Sequence, residues 1–300
     1  MTLYKEGAKA VGIARKAYDF ANRYRLLNLL SDKVHITLKY RLKMGHRLDW
    51  KTPKSFTEKL NWLKLYDHDP RYIPLVDKWD VMDFVRERIG DGYCVQKFGI
   101  WDSFEAIDFD RLPNQFVLKC TNDSGGIVIC KDKALLDREA ARAVLNRSLK
   151  RNYYWHNREW PYKGLKPRIL AEEFLEDASG NGLIDYKFFC FDGKPKLMFI
   201  ATGRAEGKTC FDFFDMEFNW IPVKQHYPNA KQRPEKPECF DEMIMLAQKL
   251  AKDLKHVRVD FFQVDGKVYF GELTFTHFGG YERFEPEAYD GEFGEFLNLN

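Results

Sequence analysis

The stretch HVRVDFFQVDGKVYFGELTF at residues 256–275 decides the fold of this chain. Its two halves are rich in β-branched and aromatic residues, which favour strands. Between them lies Asp265-Gly266, a dipeptide that strongly indicates a two-residue hairpin turn. The sequence therefore predicts antiparallel strands at 256–264 and 267–275.

Two acidic side chains of this hairpin are expected to meet. Side chains alternate between the faces of a strand, so Arg258 and Asp260 share one face, and so do Glu272 and Thr274. The short turn then allows Asp260 to face Glu272. Inward carboxylates are costly unless they are paired or bound to metal, and their hard oxygens suit Mg²⁺ carrying a nucleotide phosphate. Arg258 would stabilise developing negative charge, and a buried Arg–Asp–Glu ion network is the open alternative.

The remaining pattern predicts an α+β fold with mostly antiparallel strands. Further strands are expected at 112–120, 126–130, 168–174, 185–191 and 196–202. Helices are expected at 55–66, 77–90, 133–150 and 240–254, and long loops at 151–167 and 221–238. Ser55 and Glu58 form a capping-box pattern at the start of the first helix, and Gly90 ends the second.

Composition is that of an ordinary globular protein. Of 300 residues, 45% are hydrophobic, 31% charged and 16% aromatic, which argues against disorder. No apolar run approaches the ~18 residues of a membrane-spanning helix, and no secretory signal pattern is present. The six cysteines contain no CxxC motif and are expected to be reduced core thiols of a cytoplasmic protein. The seven histidines show no ligand spacing, so no zinc is expected.

Positive charge is concentrated at the start of the chain. Residues 1–50 hold 11 Lys or Arg and 4 Asp or Glu, a net +7, whereas the whole chain is +3. The overall charge is too small to indicate a nucleic-acid partner. We expect a basic helical N-terminal segment that either associates peripherally with an anionic membrane or serves as a packing or dimerisation helix.

Several polar residues beside strands are candidate nucleotide contacts. Lys119 ends an apolar strand and precedes the small loop 121–126, whose backbone N–H groups could hold phosphates, although a plain hairpin turn is the alternative. The stretch EEFL at 172–175 could read an adenine edge through its backbone. GRAEGKT at 203–209 looks like a phosphate-binding loop, but its glycine spacing is one residue short and no helix follows, so we reject it.

Taken in order, these pieces resemble the TupA-like branch of the ATP-grasp superfamily. The resemblance covers about residues 50–295 and rests on DKW, FVLKC-TNDSGG, LAEEFLE, DYKFFCF-DGK, Arg204, RVDFF and GELTF. It implies two antiparallel α+β lobes that clasp ATP, with Mg²⁺ as one or two ions. The expected parts are a basic helical segment at 1–50, a helical pre-grasp part at 51–111, one lobe at 112–175, and a second lobe with the metal site at 176–300.

The resemblance also implies the roles of individual residues. Catalytic roles fall to Arg258, Lys119 and Arg204. ATP contacts fall to Lys78, Lys119, Ser124, Gly125, Gly126, Glu172, Glu173, Phe174, Leu175, Asp185 and Lys187. Metal ligation falls to Asp260, Glu272 and Thr274, the last of which stands where many members have Asn.

The implied reaction is ATP-dependent ligation of a carboxylate to an amine through an acyl phosphate. TupA-like members are associated with bacterial surface polymers, so the expected acid is a uronic acid of a capsule, O-antigen or teichuronopeptide polymer or of its nucleotide-sugar precursor. The expected amine is an amino acid or another amine. The candidate substrate contacts are His277, Tyr281 and Arg283, for which ordinary loop residues are the alternative, and the aromatic stretch 153–162, for which a surface lid or an interaction patch is the alternative. A sugar or small-molecule kinase and a non-catalytic polyanion-binding module are the alternatives.

Overall fold

The structure is a computed structural model that describes residues 16–18, 20–22, 24, 26–123, 125–177, 183–204 and 206–299. The described helices are α1 (Asp32–Met44), α2 (Phe56–Tyr66), α3 (Tyr72–Val76), α4 (Val81–Ile89), α5 (Arg138–Leu149), α6 (Tyr154–Asn157), α7 (Phe240–Ala251) and α8 (Ala288–Glu295). The strands are β1 (Lys97–Trp101), β2 (Phe116–Cys120), β3 (Ile127–Cys130), β4 (Ile169–Glu172), β5 (Asp185–Phe191), β6 (Lys194–Thr202), β7 (Cys210–Asp215), β8 (Trp220–Ile221), β9 (Lys224–Gln225), β10 (His256–Val264), β11 (Lys267–Thr274) and β12 (Phe284–Glu285).

Two antiparallel sheets organise the molecule. The smaller has four strands in the order β1-β4-β2-β3, and the larger has six in the order β11-β10-β5-β6-β7-β8. A two-stranded ribbon pairs β12 with β9. The prediction of an α+β fold with two antiparallel lobes is confirmed.

The larger sheet is covered on both faces, which explains why its central strand reads DYKFFCF. Phe188 and Cys190 pack against α7 in one apolar cluster, whereas Phe189 and Phe191 pack on the other face with α2 and α8. Alternate side chains therefore enter different cores, and both sets must be apolar. Each fully buried Phe contributes about 1.5–3 kcal/mol through removal of apolar area from water.

The decisive hairpin forms as the sequence predicts. Asp265 and Gly266 both have positive φ, 49° and 77°, and Val264 pairs with Lys267 across the turn. This is the turn type whose twist matches that of paired strands. The capping box of Ser55 and Glu58 is also present, with both of its hydrogen bonds.

Three helix boundaries differ from the expectation. The helix expected at 77–90 begins at Val81, because the Asp77 carboxylate accepts from the N–H groups of Trp79 and Asp80 and holds this stretch as a turn. The helix expected from 133 begins at Arg138, where the Asp137 side chain caps it. The helix expected at 240–254 ends at Ala251.

Several elements were not anticipated. The prediction lacked strands β1, β7, β8 and β12 and helices α3 and α8, and the supposed loops contain α6 and β9. The stretch 203–209 is the connection between β6 and β7, so a strand follows it and not the helix that a phosphate-binding loop requires.

Cys120, Cys130 and Cys190 are buried, but Cys94, Cys210 and Cys239 are partly exposed, which corrects the expectation of core thiols for these three.

The N-terminal segment packs on the body of the protein where it is described. Helix α1 buries His35, Ile36, Lys39, Tyr40 and Met44, in agreement with the helical expectation for this part. Residues 1–15 lie outside the described residues. Within the described ranges, none of the helices combines the length and the apolar character needed to cross a bilayer.

Candidate active site

A cavity of about 640 Å³ is lined by residues of both sheets. Helix α1 and the segments 153–162 and 276–282 complete its wall. Its size is in the range of small-molecule and cofactor sites. Most of the predicted site residues meet here although their strands are far apart along the chain.

The smaller sheet presents one carboxylate between two ammonium groups. Glu172 on β4 lies opposite Lys97 of β1 and next to β2, which carries Lys119, and its two oxygens accept from these lysines. Burial would raise the pKa of Glu172, but the two ammonium groups outweigh it and lower the pKa to about 2. Glu172 is therefore ionised, and the three side chains carry one net positive charge.

The loop between β2 and β3 is organised by Asp123. Its Oδ1 accepts from the N–H groups of Gly125 and Gly126, and its carbonyl oxygen accepts from Lys78 Nζ at 2.7 Å. A Cβ on Gly126 would lie 2.4 Å from Ser148 Oγ, so α5 packs too closely for any side chain there. Lys78 lines the cavity, whereas Gly125 and Gly126 are not among its lining residues. Ser124 lies outside the described residues.

The larger sheet presents a network around Arg258. Asp260 pairs in register with Glu272, as the hairpin predicted. The Arg258 guanidinium donates to both Asp260 oxygens at 2.7 Å, to Glu272 Oε1 at 3.2 Å and to Thr274 Oγ1 at 3.0 Å. The structure thus contains the ion network that the sequence left open as an alternative to metal ligation.

Glu272 is the accessible member of the carboxylate pair. Its side chain is 41% exposed, whereas that of Asp260 is 2% exposed. Burial would raise the pKa of Glu272, but the nearby charges of Lys78, Lys187 and Arg258 lower it to about 2. Among the described residues, its Oε2 has no hydrogen-bond partner. Glu272 therefore offers an ionised oxygen to a ligand in the cavity.

The predicted ATP contacts Asp185 and Lys187 on β5 lie beside this network. Lys187 bonds Asp260 Oδ2 and Asp185 Oδ1, and Arg204 bonds Asp185 Oδ2 at 2.8 Å. All three of Asp185, Lys187 and Arg204 line the cavity. Negative and positive side chains therefore alternate from Asp260 to Arg204, which follows the end of β6.

His277 holds the Arg258 guanidinium from behind. Its Nδ1 accepts from Arg258 Nη1 at 2.6 Å, so its Nε2–H donates to Gln225 Oε1 at 2.7 Å. Burial, followed by the positive charge of Arg258, lowers the pKa of His277 well below its usual value. A neutral ring can accept this bond and an imidazolium cannot, so His277 positions Arg258.

The predicted adenine hinge is only partly at the cavity. Glu172 lines it, but Glu173, Phe174 and Leu175 do not. The Glu173 N–H already donates to the Gln96 carbonyl at 2.9 Å, and the Phe174 ring lies 5.1 Å from Lys131 Nζ. Their nucleotide roles stay predictions.

The far wall of the cavity comes from outside the predicted nucleotide motifs. Tyr18, Asn22, Lys39 and Lys43 contribute from the N-terminal segment, and Tyr153, His156, Glu159 and Tyr162 from the aromatic stretch. Of the three predicted substrate contacts, His277 and Tyr281 line the cavity. Arg283 does not line it; it is exposed and donates to the Lys43 carbonyl.

Two residues that sequence reasoning missed are Lys97 and Glu159. Lys97 is the first residue of the short strand KFGIW, whose apolar and aromatic residues could have indicated β1. Glu159 lies in an irregular segment, so no periodicity places its side chain in the cavity.

The oxygen donors on β10 and β11 have the chemistry that Mg²⁺ prefers. Asp260, Glu272 and Thr274 supply hard oxygens from adjacent strands. Within the part of the chain that the structure describes, no group of three or more His, Cys, Asp or Glu residues is placed to hold a metal. A metal here would need oxygens from a bound ligand as well.

Several solved structures are similar to this chain at low sequence identity. Similar solved structures include the D-alanine–D-alanine ligase from Bacillus anthracis complexed with ATP (16% identity, 67% of this chain and 53% of that chain covered, TM-score 0.38). The D-alanine–D-alanine ligase from Helicobacter pylori is another (14% identity, 82% and 70% covered, TM-score 0.41). A third is the ATP-grasp ligase PsnB with a phosphomimetic variant of its minimal precursor, Mg and ADP (14% identity, 80% and 65% covered, TM-score 0.43).

The chain spans about half the length of the Bacillus anthracis ligase. No curated protein matches the sequence. The family model described as TupA-like ATPgrasp matches residues 58–298, which is most of the chain and includes every predicted site residue. The chain therefore belongs to the TupA-like ATP-grasp family.

Proposed function

We propose that this protein is an ATP-dependent ligase that joins a carboxylate to an amine through an acyl phosphate. The observation that carries the proposal is the cavity in which Lys119 and Glu172 of one sheet and Arg258, Asp260 and Glu272 of the other line a common space. Cations for phosphates, oxygens for a metal and an arginine for an oxyanion are the groups this reaction requires.

The triphosphate is assigned to the side of the smaller sheet. Lys119, whose side chain is 25% exposed, and Lys78 both line the cavity. Glu172 holds Lys97 and Lys119 in place and leaves one unit of positive charge uncompensated. Ammonium groups act on phosphate oxygens as point charges, so this excess favours the anionic end of ATP.

The donor set of Asp260, Glu272 and Thr274 fits Mg²⁺. When bound, the ion would supply Lewis-acid stabilisation of the phosphate oxygens. Glu272 would bind it most directly, because its carboxylate is ionised and accessible. Asp260 would contribute only where Arg258 and Lys187 yield one of its oxygens, and the ion count of one or two depends on Thr274.

Arg258 is assigned to the reacting carboxyl group. It is held by His277 and the carboxylate pair, so its position costs little reorganisation when charge develops. The substrate carboxylate attacks the γ-phosphorus and ADP leaves. The amine then attacks the acyl carbon, and Arg258 stabilises the oxyanion while phosphate leaves.

The acid substrate is assigned to the uronic acid class, free, polymer-linked or carried by a nucleotide. Membership of the TupA-like family supports this assignment, and so do the aromatic rings of Tyr153 and Tyr162, 5.0 Å apart, in the cavity wall. An α-amino acid or another amine is the second substrate. Peripheral association of residues 1–50 with an anionic membrane would bring the enzyme to a lipid-linked polymer.

The test is ADP release by purified protein with Mg²⁺-ATP, glucuronic acid or UDP-glucuronic acid, and a mixture of amino acids. We expect release that needs both substrates, and a product lighter by one water than their sum. A phosphorylated sugar formed without amine would identify a kinase instead. Salt-sensitive binding of polyanions with no ATP binding would identify the non-catalytic module.

A further inference from the structure

Glu159 is a buried carboxylate that the assigned steps do not use. It lies between α6 and Trp160, is 5% exposed, and lines the same cavity as Arg258 and Glu272. A carboxylate in such a position requires an explanation, because burial of an ionised group costs several kcal/mol unless it is compensated.

The side chain of Glu159 is held by a neutral amide. Asn157 Nδ2 donates to its Oε1 at 2.9 Å, and Asn157 Oδ1 accepts from Lys39 Nζ at 2.6 Å, which fixes the orientation of the amide. A Cβ on Gly279, which has φ of 63°, would lie 2.4 Å from Asn157 Nδ2. The glycine therefore leaves the room in which Asn157 reaches Glu159.

The hydrogen bond from the neutral Asn157 amide distinguishes Glu159 from the other acidic residues around the cavity. Among the described residues it forms no ion pair within 4 Å. Most of the others bond a lysine or an arginine: Glu172 bonds Lys119, Asp185 bonds Arg204, and Asp260 and Glu272 bond Arg258. Glu282 bonds the imidazole of His226. Asp123 bonds two backbone N–H groups. Glu159 is thus the carboxylate whose second oxygen is best placed to take up a proton.

The groups facing Glu159 act in opposite directions on its protonation. Burial raises its pKa, and the charges of Lys64 on α2, Lys39 on α1 and Arg258 on β10 partly offset this. The phenols of Tyr162 and Tyr281, whose own pKa values are raised well above the usual range, also lie near it. A carboxyl with a raised pKa is a better proton acceptor than one held ionised in a salt bridge.

We propose that Glu159 binds the ammonium group of the amine substrate and takes the proton that must leave before the nitrogen can attack. This inference rests on the proposed ligase function and identifies the amine as an aliphatic amine that arrives protonated, such as an amino acid. One proton passes from nitrogen to Glu159, the N–C bond forms, the C–O bond to phosphate breaks, and the second nitrogen proton leaves with phosphate. Glu159 then returns its proton to water.

The experiment compares two nucleophiles in wild type and Glu159→Gln. UDP-glucuronic acid and Mg²⁺-ATP are supplied with either an amino-acid mixture or hydroxylamine, which is uncharged at neutral pH and needs no base. In Glu159→Gln we expect amide formation to fall about a hundredfold or more, and hydroxamate formation to stay within about threefold of wild type. Glu139→Gln, a matched change at an exposed ion pair on α5 away from the cavity, should form amide within about twofold of wild type.

A purely structural role for Glu159 predicts equal losses with both nucleophiles and would overturn the inference, as would amide formation at the wild-type rate. The pH profile is a second test: alkaline pH deprotonates the amine in solution, so it should restore amide formation by Glu159→Gln towards the wild-type rate, and a ratio of the two rates that does not change with pH contradicts the proposal. If wild type forms neither product, the ligase function itself fails. If wild type forms both and Glu159→Gln behaves like it, only the role of Glu159 fails.

Discussion

The two sheets arrange their charges in opposite ways around one cavity. On the smaller sheet one carboxylate, Glu172, lies between the ammonium groups of Lys97 and Lys119. On the larger sheet one guanidinium, that of Arg258, bonds the two carboxylates of Asp260 and Glu272. The group on the smaller sheet therefore has one cation more than anions. The group on the larger sheet, without Lys187, has one anion more than cations. Under the proposed function, the smaller sheet would stabilise the triphosphate and the larger sheet the metal.

The comparison also shows how the protein tolerates so many charges around one cavity. Each sheet neutralises most of its own charge, and each keeps one member more accessible, Lys119 at 25% and Glu272 at 41% side-chain exposure. A ligand can engage the accessible member while the buried members stay paired. Paired buried charges avoid most of the desolvation cost that isolated ones would carry.

The largest expected effect is on turnover, from Glu272→Gln. Because this carboxylate is ionised and accessible, its neutralisation should lower the rate of ADP release about a hundred- to a thousandfold with little change in melting temperature. Asp260→Asn should also destabilise the fold, by about 3–5 kcal/mol, because it leaves Arg258 and Lys187 buried with less compensation. Initial rates and thermal unfolding of both variants check this; near-wild-type turnover of Glu272→Gln would remove it from the site.

The next effect concerns acid stability and the smaller sheet. The pKa of Glu172 is lowered from 4.5 to about 2, so its stabilisation is present above about pH 4.5 and is lost as the pH falls towards 2. By linkage this amounts to about 3 kcal/mol at most. The difference in unfolding free energy between wild type and Glu172→Gln should be constant above pH 4.5 and shrink below it. Glu176→Gln, at an exposed ion pair, is the control; a gap that stays constant down to pH 2 would contradict the assigned charge state.

The smallest expected effect separates the two lysines that share Glu172. Lys119→Met should raise the dissociation constant for Mg²⁺-ATP about tenfold or more, since a charged contact to phosphate is lost. Lys97 is 8% exposed on its side chain, so Lys97→Met should lower the melting temperature more than Lys119→Met. Calorimetric titration and thermal scans distinguish the two. Equal effects of the two variants on the dissociation constant and on the melting temperature would contradict the assignment of Lys119 to ATP binding and of Lys97 to support of the fold.

Local patterns predicted the hairpin part of the site well. The positive φ values that Asp265 and Gly266 adopt define the turn, and the two-residue period of strands then determines that Asp260 meets Glu272. The same reasoning placed Arg258 beside them. Register inside a short hairpin depends only on neighbouring residues, so a single sequence carries it.

Contacts between distant segments were not predictable in this way. Lys97 reaches Glu172 because β1 pairs with β4, and Glu159 enters the cavity because Arg158, at φ of 58°, ends α6 and redirects the chain. Arg158 is itself fixed by the Leu27 carbonyl and by Asp32 of α1. None of these pairings leaves a periodic signal, since each depends on which surfaces the folded elements bring together.

The sequence by itself determined the strand pairs with short turns, the capped helix α2, the family and the identity of the carboxylate pair, because these depend on interactions within a few residues or on motifs read in order. Three features depend on tertiary contacts: the carboxylates bond Arg258 and Lys187, Lys97 shares Glu172 with Lys119, and α1 and Glu159 line the cavity. The physical reason is that ion pairs and cavity walls are formed between surfaces whose meeting is set by packing of the whole chain.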